Sequence, residues 1–237
     1  MFNIIKKFFS SIVILEYKET KITSEMIRKI LSKKSNQNWL DVGCGSTPYK
    51  KFFKGNEYTG IDIERKGYGQ AKKLVDKFYD GKTIPFDNEI FDGAICTQVL
   101  GVCDDERSLV KEINRILKKD GYFVVATPFI YREVEKPYDF RRFTSFGIEK
   151  LLTDNDFEVI ENKKILSALE TIGMLLSNYI SNHTSPKILR RAINIFLCFP
   201  IQILFSCLSF ILPDNKDLFC TSVVLAKKTK KNDEKNY

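Results

Sequence analysis

Two segments, Phe91 to Thr97 and Tyr122 to Thr127, are apolar almost throughout. A strand buried on one face alternates polar and apolar residues. These two do not, so they read as strands covered on both faces, the mark of a parallel sheet. Parallel strands need long crossovers, normally helices packed on the sheet. The rest of the chain supplies them. Shorter strand patterns lie at Asn38–Val42, Tyr58–Ile63, Lys77–Tyr79, Phe157–Ile160 and Ser222–Ala226. Helical patterns lie at Ser24–Lys33, Glu106–Lys119 and Thr144–Thr153. In the second, Leu109, Val110, Ile113, Ile116 and Leu117 share one face, Asp104 or Asp105 can cap its start, and Gly121 can end it. The expected fold is α/β: a Rossmann-like, doubly wound sheet of seven strands with helices on both faces.

The first strand ends in Asp41-Val42-Gly43-Cys44-Gly45, followed by Ser46-Thr47-Pro48. In such a sheet ligands bind at the carboxyl ends of the strands. Gly43 and Gly45 permit a sharp turn and close approach of a ligand to the backbone. A dinucleotide site wants a third glycine where this chain has Pro48, and Asp41 would repel a pyrophosphate. A carboxylate there suits a ligand that carries an ammonium and a sulfonium, as S-adenosylmethionine does. NAD is not expected. No lysine followed by serine or threonine makes the loop a P-loop. Asp62, at the end of the second strand, is placed to accept both ribose hydroxyls of a nucleoside. Asp80, after the third, is placed to accept an adenine amino group.

Six cysteines without a C-x-x-C pair and one histidine, His183, leave no zinc spacing, and no metal is expected. The cysteines read as reduced core residues of a cytoplasmic protein. The formal net charge of +8 admits nucleic acid or anionic membrane as a partner. Part of the excess crowds the tail, at Lys227, Lys228, Lys230, Lys231 and Lys235, which reads as a solvated, disordered end. Met1 to Leu15 is largely apolar, but Glu16-Tyr17-Lys18 stands where a signal peptide needs small residues, so it is not read as one.

From Ala192 to Pro213 there is no charged residue, a membrane candidate by length. One crossing would strand the last β-segment on the far side. Pro200 is also expected to break the run. Residues 187–212 are therefore expected to form two short helices at a membrane surface, with Lys187, Arg190 and Arg191 among headgroups. A cap over the cleft and an oligomer contact are the alternatives.

Read together, Leu40-Asp41-Val42-Gly43-Cys44-Gly45, Gly60-Ile61-Asp62, Asp80 with Ile84-Pro85-Phe86, and Phe91-Asp92 resemble a class I S-adenosylmethionine-dependent methyltransferase, most closely the type 11 group. Arg115-Ile116-Leu117-Lys118-Lys119-Asp120-Gly121 resembles that family's R-x-L-K-P-G-G stretch, with Lys119-Asp120 in place of Pro-Gly. Residues 1–35 read as an N-terminal helical segment and 36–228 as the methyltransferase domain, of which the resemblance covers roughly 36–165 and the last strand. An apolar helical insertion occupies 166–218, and a basic tail 229–237. The resemblance implies cofactor contacts from Asp41, Gly43, Cys44, Gly45, Asp62, Asp80 and Gln98. Relatives often read T-Q-V-L-E-H-V where this chain has Thr97-Gln98-Val99-Leu100-Gly101-Val102, so the usual Glu-His pair is replaced.

Pro137-Tyr138-Asp139-Phe140-Arg141-Arg142-Phe143-Thr144 resembles the P-x-D-x-x-R-(F/Y)-T segment of methyltransferases found in surface-polysaccharide gene clusters. Tyr138 can stack on a sugar face, and Arg142 matches the family arginine. Asp139 can take the proton released on O-methylation, or else form an ion pair with Arg142 that fixes the loop, with Thr144 as a helix cap. His183 reads as a surface residue. The function implied is O-methylation of a glycan or lipid-linked glycan precursor, in the cytoplasm and peripherally at the inner face of the membrane. The alternatives are a quinone-like or other lipophilic acceptor, and a cofactor-binding partner without catalysis in a glycan-assembly complex. No nucleic-acid partner is expected, since the chain lacks an N/D-P-P-Y/F base-holding motif. Oligomers are compatible with the sequence.

Overall fold

A computed structural model describes residues 13–32, 36–64, 74–214 and 216–229. Two compact units emerge: one joins residues 22–128, 132–163 and 222–237, the other 1–21, 129–131 and 164–221. The basic residues 230–237 and the apolar residues 1–12 lie outside the described residues.

The first unit is built on a seven-stranded sheet. Its strands are β1 (Asn38–Val42), β2 (Glu57–Ile63), β3 (Lys77–Tyr79), β4 (Phe91–Thr97), β5 (Leu117–Pro128), β6 (Phe157–Ile165) and β7 (Thr221–Lys228), in the order β3-β2-β1-β4-β5-β7-β6. The pairs β1–β2, β1–β4, β2–β3 and β4–β5 are parallel. The last strand runs the other way. Lys228 Nζ reaches the carbonyl of Leu117 at the start of β5 (2.8 Å), while at its other end the Cys220 carbonyl accepts from the Phe129 amide just past the end of β5 (2.8 Å). Thr229 likewise meets Asp156 before β6, at 3.0 Å.

Helix α1 (Val13–Leu31) is divided between the two units, and α2 (Glu106–Ile116) and α3 (Ser145–Thr153) accompany the sheet. The stripe Leu109, Val110, Ile113 and Ile116 of α2 is buried in one cluster with Leu40, Val42, Ile61 and Phe123. Asp105 caps α2 by accepting from the Ser108 amide, and Thr144 caps α3 by accepting from the Gly147 amide. The helix α2 is shorter than its sequence pattern. It stops at Ile116 because Leu117 already pairs with Phe91, and a register irregularity between Phe91 and Gly93 absorbs the residues that follow. Asp120 takes a positive φ of 62° there, so Asp120-Gly121 kinks a strand and does not end a helix. On β1, Trp39 is wholly buried beside Phe53, with ring centroids 5.5 Å apart. Its indole lies flat over Gly93, where a Cβ would sit 2.5 Å from the ring.

The second unit is a helical hairpin. Its members are α4 (Ala168–Asn182), then α5 (Lys187–Ile193), a π-helical turn at Asn194–Cys198, and α6 (Phe199–Ile211). Ser167 and Glu170 close a capping box at the start of α4. The expected break at Pro200 does not occur. Pro200 falls in the first turn of α6, directly after the π turn, where the missing amide is tolerated, and Ile188–Ile211 is one continuous 24-residue rod. The hairpin is closed at its base, because the Cys220 amide donates to the Ile165 carbonyl at 3.0 Å.

The fit of Trp39 over Gly93 gives a direct test of the core. Gly93→Ala should lower stability by about 1–3 kcal/mol, the usual cost of overpacking, in chemical denaturation followed by far-UV circular dichroism.

Candidate cofactor and acceptor site

The sheet order sets three carboxylates at the ends of three neighbouring strands: Asp41 near the end of β1, Asp62 near the end of β2, and Asp80 just past β3. After Val42 the backbone turns on Gly43 (φ 72°) and Gly45 (φ 49°), a conformation that suits glycine. The amides of Gly43 and Cys44 both donate to the Ile61 carbonyl, at 2.8 and 3.0 Å, which ties the turn to β2. Any side chain at position 43 would collide with Val99, whose Cγ2 would lie 2.2 Å from it. Around Gly45 no described residue lies within 4 Å of where a Cβ would be, which leaves room for a ligand beside the turn.

Asp62 is almost wholly buried, and both its oxygens hold the backbone: Oδ2 accepts from the Gly45 amide (2.9 Å) and Oδ1 from the Ile63 amide (2.8 Å). Asp41 is buried in turn, and its Oδ2 accepts from the Tyr58 hydroxyl at 2.6 Å. Burial pushes its carboxyl up to about 7, the Tyr58 bond opposing and the charge of Asp62 adding to the rise. Tyr58 was not singled out in the sequence. Its role depends on the β1–β2 register, which sets it opposite Trp39. Cys44 is buried with its thiol pushed up to about 12, chiefly by burial. It packs as a neutral thiol, so its backbone is what the turn offers a ligand. Asp80 makes an Asx turn, accepting from the amides of Lys82 (2.8 Å) and Thr83 (2.9 Å), which hold its carboxyl below the usual range. Gln98 is exposed at the end of β4 with φ 61°, a left-handed backbone unusual for glutamine and frequent at functional strand ends.

These residues fit the expected cofactor. The strand ends present acidic acceptors, suited to an ammonium, ribose hydroxyls and an adenine amino group.

On the acceptor side, the loop before α3 is fastened to the segment after β4. The amides of Phe140 and Arg141 both donate to the Gly101 carbonyl, at 2.9 and 3.2 Å. Arg141 reaches the carbonyls of Cys103 (2.7 Å) and Asp104 (3.2 Å) and pairs with Glu106 (3.0 Å). Position 101 has room for no side chain, because a Cβ would lie 2.9 Å from the Arg141 carbonyl. That explains the glycine where relatives often carry glutamate. Sequence reading favoured Arg142 and passed over Arg141, whose partners are distant in the chain.

Asp139 is ion-paired. Both of its oxygens are taken by Arg142, Oδ2 at 2.6 Å from Nη2, and Oδ2 also accepts from the Val134 amide at 2.7 Å. Arg142 holds the carboxyl below its ordinary range, the opposite of what a proton acceptor needs. Of the two roles open to Asp139, the structure realises the ion pair that fixes the loop, with Thr144 as the cap of the next helix. Tyr138 and Phe140 stand outward from this loop, each 49% exposed, with rings 6.3 Å apart and nearly perpendicular. His183, the only histidine, lies at the end of α4, exposed.

Residues 40–125 match a family model described as a methyltransferase domain. The chain is 26% identical over 180 residues to a malonyl-[acyl-carrier protein] O-methyltransferase of Buchnera aphidicola, covering 67% of this chain and 73% of the relative. It is 28% identical over 165 residues to the O-methyltransferase resE of Aspergillus sclerotiorum, covering 59% and 62%. Among solved structures it resembles the [4+2]-cyclase SpnF, with a TM-score of 0.61, 17% identity, and coverage of 89% and 81%, a likeness of fold alone. The match to a methyltransferase domain over residues 40–125, the O-methyltransferase relatives and the sheet order agree in a class I methyltransferase fold, the fold that binds S-adenosylmethionine.

The buried Asp41 gives stability a pH signature. Its carboxyl titrates near 7 when folded and near 3.8 when unfolded, so between those values the folded protein holds the extra proton. Stability then falls as pH rises from about 4 to about 7. Asp41→Asn keeps an acceptor for Tyr58 and removes the titration. The variant should match the parent near pH 4 and exceed it at pH 8, by on the order of 2–4 kcal/mol, in cofactor-free denaturation.

Proposed function

We propose that this methyltransferase acts on an oxygen of a sugar, carried in a glycan or a lipid-linked glycan precursor, in the cytoplasm and peripherally at the inner face of the membrane. The observation that carries the reading is the pair Tyr138 and Phe140. These are two large aromatic rings left exposed on a loop that several hydrogen bonds and two arginine–carboxylate pairs hold firm. An aromatic face held still in this way suits stacking on the apolar face of a sugar ring. The relatives named as O-methyltransferases favour oxygen as the atom methylated.

In this reading Asp62 accepts the ribose hydroxyls while it keeps Gly45 in place, Asp80 accepts the adenine amino group, and Asp41 faces the cationic end of the ligand. The turn at Gly43 and Gly45 lets the backbone come close, and Gln98 marks where the methyl-bearing end meets the acceptor. Bound S-adenosylmethionine supplies a methyl group already activated on sulfur. What the protein adds is alignment and the exclusion of water. Arg142 and Asp139 hold the loop that aligns the acceptor, and the acceptor's proton passes to a group other than Asp139.

A lipophilic small molecule is the second reading, favoured by the aromatic character of the same loop. A cofactor-binding partner without catalysis is the third, and SpnF shows that this fold is not confined to methyl transfer.

Methyl transfer from labelled S-adenosylmethionine to lipid-linked sugars and to quinone-like acceptors separates the readings. Label in the sugar is expected. Label in the quinone alone would select the second reading, and none with either acceptor the third. With the true acceptor, Tyr138→Ala should raise KM several-fold and leave cofactor affinity unchanged. Asp62→Ala should weaken S-adenosylmethionine binding by about 1.5–3 kcal/mol in calorimetry, the range for hydrogen bonds to a charged group.

A further inference from the structure

The helical hairpin is arranged inside out. On the rod Ile188–Ile211 the first turn exposes Ile188, Leu189, Arg190 and Arg191; beyond it the exposed positions are Phe196, Leu197, Pro200, Ile203, Leu204, Cys207, Phe210 and Ile211, spaced three and four apart along one face. None of the latter is charged, and Phe196 and Phe210 are 79% and 87% exposed. On α4 the exposed residues are Ile172, Leu175, Leu176 and Tyr179, at the same spacing, and Asn182 at the helix end. Other polar residues point inward. Glu170, Thr171, Ser177, Asn178, Ser181 and Gln202 are all buried. Within the hairpin, Ser206 donates to Glu170 (2.8 Å) and Ser177 donates to the Cys198 carbonyl (3.2 Å), while Lys18 of α1 pairs with the Glu170 carboxylate.

A helix pair in water buries its apolar faces. This one buries polar side chains and turns apolar ones outward, as helices do where the surroundings are hydrocarbon. The close contact follows the same rule. Gly173, Ser177 and Ser181 form a stripe four residues apart on α4, and a Cβ at Gly173 would lie 2.7 Å from the Cβ of Phe205. Small residues let two backbones meet without a hydrophobic driving force.

We propose that the hairpin 168–212 inserts into the surface of an anionic membrane, within one leaflet, through its outward apolar faces. Depth is limited by length. Helix α4 has 15 residues, about 22 Å at 1.5 Å per residue, short of the roughly 30 Å of a hydrocarbon core. Crossing is limited by topology, since the base of the hairpin is closed by the Cys220–Ile165 hydrogen bond and both ends return to one sheet. Charge selects the leaflet. Residues 187–212 contain no acidic residue, and Arg190 and Arg191 are exposed next to the turn of the hairpin. Guanidinium groups there are attracted to anionic headgroups. This inference concerns the hairpin alone and stands whichever acceptor the enzyme uses.

Flotation of the full chain with vesicles tests it. With phosphatidylcholine–phosphatidylglycerol vesicles the protein should float, and with phosphatidylcholine alone it should float at least several-fold less. The double variant Ile203→Asp, Phe210→Asp should lose flotation at least ten-fold while still binding S-adenosylhomocysteine in calorimetry, which shows that it folds. Cys207 is the one exposed free thiol among the described residues, so it takes an environment-sensitive dye. The dye's emission should shift to the blue on anionic vesicles. Parent protein that stays at the bottom of the gradient with both vesicle types overturns the proposal. So does a dimer that the double variant dissociates, since the face would then be a contact between copies.

Discussion

The amide of Gly45 donates to the carboxylate of Asp62 at 2.9 Å, and that bond joins the ends of two neighbouring strands. Much of the site depends on it. It holds open a turn whose backbone no side chain could occupy at Gly43, and it fixes the carboxylate that the cofactor's ribose would meet. The cost of the arrangement is visible one residue pair away. Asp41 is buried beside this charge, and its carboxyl is driven toward 7. A cationic ligand beside Asp41 would favour its ionised form, which couples the protonation of this carboxyl to ligand affinity. The same cluster of acids that would repel a pyrophosphate makes a place for a sulfonium.

Much of this was legible in the sequence because it is local. The strands at Asn38–Val42, Lys77–Tyr79 and Phe91–Thr97 fall where the apolar runs put them, and the caps at Asp105 and Thr144 follow from residue type. The Gly43–Gly45 turn, with Asp62 opposite, was read from spacing alone. What escaped depends on which strand lies beside which. Leu117 looks helical by period but pairs with Phe91, and Tyr58 meets Asp41 because of the β1–β2 register. Asp139 has the residue type of a base, and only the geometry of Arg142 shows it neutralised. Gly101 read as the loss of a side chain, whereas the loop carrying Arg141 occupies the space.

The uncharged run before the last strand shows how topology limits composition. By length and composition Ile188–Ile211 is sufficient to cross a membrane, yet its base is stitched to β6 and its neighbour α4 is too short to follow. Pro200 was expected to end the helix there. A π turn just before it removes the need for its amide, and the rod continues. The break predicted from one residue type was overruled by a neighbouring irregularity that periodicity does not reveal.

The central claim is that the acidic ends of β1, β2 and β3 hold the cofactor. A crystal structure with S-adenosylhomocysteine tests it most directly. The account predicts the ligand over the Gly43–Gly45 turn, its ribose hydroxyls within hydrogen-bonding distance of Asp62 and its adenine amino group beside Asp80. Density elsewhere, or a ribose that leaves Asp62 bonded only to its own backbone partners, would contradict it.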